Sequence, residues 1–278
     1  MGWAIGDFLG ISISRKIGGY STSFWVFLFG LIIFSFYLPF EAHNFNSLTI
    51  PLIFLNIILG ILFIAGNIAF NEGLRTSNAS LVGTIAASFT AITVVLSILF
   101  LGENITLGQT AVIVLIFIGI ILSTLNFGEL RRGDFIKDKG VRLALFSMLA
   151  WGIYFAFIKI LVRQIGWFLP HYISFLLFPL IFLYMKLRNI PLEKPNKKNG
   201  VLLLVIISAI LVRIGDFSFN LAIGRGLTSI VAPIAGSYPT LFVFLSFLIF
   251  KDPIKKQQIL GIIITIIGIF FLSFISYY

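Results

Sequence analysis

The chain reads as one membrane unit written twice, and this doubling limits its fold more than any other feature. Trp3 and Trp151 lie 148 positions apart, and at that offset Ile5, Arg15, Ile17 and Gly18 meet Ile153, Arg163, Ile165 and Gly166. Residues 67–126 lie over 216–275 at an offset of 149, with 17 identities in 60 positions. Many are Ile or Leu, which an apolar chain supplies by chance. The polar and glycine matches carry more weight: Asn71/Asn220, Ser80/Ser229, Ser88/Ser237, Ser97/Ser246, Gln109/Gln258 and Gly119/Gly268, with Glu103 over Asp252. Each unit holds five apolar runs. Two fused copies of an odd-span unit must point in opposite directions, and inverted repeats of this kind place a binding site at midplane between the halves.

Ten runs are long and apolar enough to propose as spans, at about 20 residues each: roughly 1–17, 21–40, 50–71, 79–100, 107–126, 142–163, 168–186, 200–223, 228–250 and 257–276. They are continuous rather than alternating, which favours helices over barrel strands. The expected architecture is therefore all-α: ten transmembrane helices as two inverted five-helix repeats around a central cavity. The first repeat takes 1–130, a connecting loop 131–141, and the second repeat 142–278. Span one is short as given. From Met1 to Ser14 a helix measures about 21 Å, short of the roughly 30 Å hydrocarbon core, and a chain that begins several residues late would explain it.

Composition agrees. The chain is 59% hydrophobic and 11% charged, against about 25% charged in soluble domains. Its net charge of +10 does not indicate nucleic acid, because the basic residues sit in short loops, where membrane orientation signals lie. Loops after odd spans carry nearly all of them, which puts those loops in the cytoplasm and both termini outside. There is no cysteine, so no disulfide or thiolate site. No cleavable signal peptide is visible, since the first apolar run carries Asp7 and lacks a basic leader.

The order of short motifs resembles the drug/metabolite transporter superfamily, in particular its EamA-type ten-span carriers. Trp151-Gly152 opens the second half; the first half carries the small-residue run Ser80–Ser88, the turn Leu101-Gly102-Glu103 and Gly119, and the second answers with Ser229–Pro239, Lys251-Asp252 and Gly261/Gly268. Trp3 is followed by Ala4, so the first Trp-Gly is incomplete. The resemblance covers nearly the whole chain. It implies ten helices around a cavity and transport of a small metabolite, an amino acid or other organic solute, often by export. Members of that family are usually drawn with both termini in the cytoplasm, opposite to the charge bias here.

Ionisable residues inside spans are costly and mark function by default. Asp7, Lys159, Arg213 and Asp216 qualify. Arg213 and Asp216 are three apart and share a helix face; they either neutralise each other or leave one partner for a substrate or a proton. Lys159 has no acid within a turn, so it either snorkels along its stem or binds a substrate carboxylate or phosphate, with Asp7 as a partner across the repeat interface. Trp3, Phe89, Trp151, Tyr154 and Tyr238 are candidate cavity aromatics, and the matched Ser88 and Ser237 are candidate substrate contacts. The small residues of spans four and nine equally serve close helix packing, and Pro233 and Pro239 should bend span nine.

No phosphate-binding loop and no His-Glu-x-x-His zinc pattern occurs, and His43 and His171 fall in or near expected loops. No catalytic residue, cofactor or metal is therefore expected. The expected partners are a small-molecule substrate, membrane lipid and protons, in the cell membrane. The competing readings are a structural or scaffold membrane protein and an intramembrane lipid-modifying enzyme. The first has no need of matched polar residues in spans, and the second calls for clustered acids or histidines at one membrane face.

Overall fold

The computed structural model describes residues 1–124, 137–197, 199–241 and 255–276, and those residues contain helices and turns but no strand. The first half holds α1 (Gly2–Ile17), α2 (Gly19–Ser35), a 3₁₀ segment (Leu38–Ser47), α3 (Ile50–Thr76), α4 (Ala79–Ala87), α5 (Phe89–Leu101) and α6 (Leu107–Thr124). The second holds α7 (Lys139–Ile165), α8 (Leu169–Leu176), α9 (Pro179–Leu187), α10 (Val201–Arg225), α11 (Thr228–Ala235) and α12 (Lys256–Ile275). Seven stretches of the described residues are long and apolar enough to cross a membrane, or eight if α2 and the 3₁₀ segment, bent by 92°, form one. The other two expected spans escape the count for separate reasons. α1 has only 16 residues, and the part of 228–250 from 242 onward lies outside the described residues, as do most of the connecting loop and Asp252.

Local chemistry sets the helix ends. Matched glycines close α1 and α7: Gly18 has φ 84° and Gly166 φ 78°, a region L-residues with a Cβ rarely enter. Gly102 ends α5 in the left-handed conformation, the usual glycine stop. The break after α4 falls at Ser88, whose hydroxyl donates to the Thr84 carbonyl. The break after α11 falls at Gly236-Ser237, where Pro239 has no N–H for the Ala235 carbonyl. Both interruptions thus sit at the matched serines.

Helix directions follow from which ends meet. Ile13 and Ile17 of α1 cluster with Val201 and Val205, the start of α10, while Trp3 at the other end of α1 reaches Asp216. Gly19, just past α1, packs on Glu72 near the end of α3. Lys139, which opens α7, lies 3.6 Å from Glu72. So α1 and α3 end on one side of the molecule, and α7 and α10 begin there. Two close approaches repeat as well: a Cβ on Gly215 would come within 2.5 Å of the Trp3 indole, and one on Gly66 within 2.7 Å of the Trp151 indole. Many large apolar side chains face outward, such as Leu99, Leu107 and Phe270. Such a surface would be a liability in water and is neutral against lipid.

Candidate functional site

A narrow cavity lies between the halves, lined by Trp3, Asp7, Phe63, Asn67 and Phe89 from the first and by Trp151, Phe155, Val212, Asp216 and Tyr238 from the second. The rings stand close together: the Trp3 and Phe155 centroids are 5.3 Å apart, Phe89 and Phe155 4.8 Å, and Phe89 and Trp151 5.9 Å. Little more than a water-sized body fits without moving them. A second cavity, walled by Phe70, Leu74, Gly83, Thr84 and Thr124, also reaches Asp7 and Tyr238. Those two residues therefore stand between the two spaces.

Asp216 is held firmly. Oδ1 accepts from Trp3 Nε1 at 2.8 Å, and Oδ2 accepts from Arg213 Nη1 at 2.8 Å. Arg213 is fully buried, and its Nε and Nη2 meet no acceptor among the described residues. Phenyl faces cover it instead: its Cζ lies 4.6 Å from the Phe27 centroid and 4.4 Å from that of Phe175, an arrangement that offsets part of the lost hydration. His171, which the sequence placed in or near a loop, is fully buried on α8. Its Nε2 is 3.9 Å from Asp216. Asn220 Nδ2 donates to the Trp167 carbonyl, which fixes that amide's orientation and makes His171 Nδ1, 2.6 Å away, the acceptor. Pro170 in the first turn of α8 was the available clue that a helix begins just before His171.

Asp7 is different. Its carboxylate faces the Tyr238 hydroxyl, which is itself buried without a closed hydrogen bond among the described residues. No salt bridge reaches Asp7 among the described residues, and the nearby Asn67 amide already donates to the Phe63 carbonyl at 2.9 Å.

Lys159 does not meet Asp7. It lies six residues from the end of α7, and its Nζ donates at 2.7 Å both to Glu103 Oε1 and to the Gly226 carbonyl. Glu103, in the turn after α5, also accepts the backbone N–H groups of Thr228 and Ser229, which open α11. Burial pushes the Glu103 carboxyl up, but the bonds from Lys159, Ser229 and Thr228 outweigh it and hold the group below its ordinary value. A charged carboxylate at a helix N-terminus is favoured by the dipole. The acid of the Leu-Gly-Glu turn thus ties α5, α7 and α11 together. Spacing along α7 alone could not reveal this partner, 56 positions away.

The remaining expected residues divide. Trp151 and Tyr238 line the cavity. Tyr154 is fully buried beside it, stacked on Phe63 with centroids 4.4 Å apart and facing Ser174. The Ser237 hydroxyl donates to the Ile234 carbonyl at 2.7 Å, so both matched serines donate within their own helical turns. Trp3 and Phe89 line the cavity too, while Phe63, Phe155 and Val212 join its wall with no signal in sequence beyond being apolar.

The model of the EamA-like transporter family matches residues 1–125 and again 138–274. The chain belongs to that family, a family of membrane transporters. An uncharacterized protein of Methanocaldococcus jannaschii is 32% identical over 139 residues, which is 49% of this chain and 97% of that protein. A crystal structure 13% identical in sequence superposes with a TM-score of 0.75 over 99% of this chain and 96% of the other; at that identity the likeness speaks for the fold alone.

Proposed function

We propose that this protein is a secondary transporter that moves a small organic solute by alternating access, with export as its working direction. The observation that carries the reading is the cavity wall, five residues from each half. A site built equally by two units opens to either side when one rocks against the other. The proposed units are 1–130 and 142–278, joined by 131–141, together forming ten spans in opposed orientation in the cell membrane. The opposed directions of α1 and α7 and of α3 and α10 support this, as does a relative whose whole length corresponds to about half of this chain. Asp7 is the preferred proton carrier, because both oxygens of Asp216 are already engaged. Uptake of radiolabelled amines, amino acids and organic acids into proteoliposomes under an imposed pH gradient tests the reading. Saturable, protein-dependent uptake of at least one class is expected. No flux above protein-free liposomes, with the protein verified as inserted, would overturn it.

A further inference from the structure

Among the described residues the charges around the cavity do not balance. Arg213 and Asp216 cancel through their 2.8 Å bond. His171 is neutral as an acceptor from Asn220. Tyr238 and Asn67 are neutral. Lys159, the cation able to recruit an anionic solute, is engaged by Glu103. Asp7 is left as one carboxylate facing low-dielectric surroundings, where an uncompensated charge is strongly disfavoured. A proton or a bound cation can compensate it.

The walls narrow the choice. Trp3, Phe89, Trp151, Phe155 and Tyr238 surround the space, and aromatic faces attract cations. The fold already holds one cation in this manner, the Arg213 guanidinium between Phe27 and Phe175. With Asp216 neutralised by Arg213, the carboxylate of Asp7 beside this space disfavours an anion. We infer that the cavity takes a monovalent organic cation, its ammonium against Asp7 and its apolar body among the rings of Trp3, Phe89, Trp151 and Phe155. This rests on the carrier reading above. The rings leave no room for such a body in the present arrangement, so it enters when the halves part.

Three probes of one shape separate charge from bulk: benzyltrimethylammonium, its uncharged carbon isostere neopentylbenzene, and the anion benzylsulfonate. Binding to the purified protein in detergent is read by tryptophan fluorescence, to which Trp3 and Trp151 report, and by thermal shift. The cation should bind at least about tenfold more tightly than the neutral isostere, a gap of about 1.4 kcal/mol, and benzylsulfonate should not compete. Asp7→Asn should close the gap between cation and isostere, and Asp7→Glu should retain it. The ranking in the unaltered protein needs no variant, so a folding failure leaves the inference testable. Equal binding of the neutral probe, preference for the anion, or a gap that survives Asp7→Asn would overturn cation recognition and leave the carrier intact. No binding of any probe, with uptake of another solute class, has the same meaning; no binding and no uptake at all overturns both.

Discussion

Lys159→Met is the most informative single change away from the cavity. It removes an ammonium 2.7 Å from Glu103 and keeps most of the apolar stem. Lys159 and Glu103 are 2% and 3% exposed, so water cannot replace the lost partner. Breaking a buried pair costs about 3–5 kcal/mol. The low end applies, because Glu103 keeps the two N–H groups of Thr228 and Ser229 and can also take up a proton. At roughly 2–4 °C per kcal/mol, a loss near 3 kcal/mol lowers the melting temperature by about 6–12 °C. Thermal unfolding monitored by size-exclusion chromatography in detergent measures it. Adding Glu103→Gln to Lys159→Met removes the stranded charge and should recover more than half of the loss. A Lys159→Met protein as stable as the unaltered one, or a double variant no better than the single, would refute the reasoning.

Three further outcomes follow from the same contacts. The folded Glu103 carboxyl lies below its ordinary value, so its share of stability is complete above the unfolded value of about 4.3 and is lost as pH falls through the lowered one; unfolding scans from pH 6 to pH 3 should show a loss that Glu103→Gln lessens. Gly215→Ala would press a methyl into the Trp3 indole and loosen its bond to Asp216, costing about 1–3 kcal/mol in a thermal shift that Gly224→Ala, whose Cβ would meet only Val162 at 3.3 Å, should not match. Arg213→Met should strand Asp216 and cut stability by about 3–5 kcal/mol, and Arg213→Met with Asp216→Asn should restore folding yield.

Much of the architecture was legible in the chain because it depends on periodic, local signals. Apolar runs set the helices, and Gly18, Gly102 and Gly166 mark their ends through backbone angles only glycine holds easily. The Arg213–Asp216 pair was legible because both residues lie on one helix face. The partner of Lys159 was not, since Glu103 belongs to another element and only tertiary packing brings them together. His171 looked like a loop residue because the chain near Gly166 and Pro170 reads as a turn, yet α8 begins at Leu169 and carries the ring into the core. The other cavity phenylalanines hide among many: Phe63 and Phe155 differ from outward-facing Phe270 only in direction, which composition does not record.

The central claim is that solute passes through the aromatic cavity between the halves. Val212→Phe tests it most directly, because Val212 lines that cavity, and a phenyl ring there fills the space while leaving Asp7, Asp216 and Arg213 in place. Solute counterflow in proteoliposomes, measured beside thermal stability, is the decisive comparison. The account predicts a stability within about 1–3 kcal/mol of the unaltered protein, the usual cost of overpacking, with counterflow reduced at least about tenfold, a change of about 1.4 kcal/mol or more. Undiminished counterflow through a correctly inserted Val212→Phe protein would contradict it.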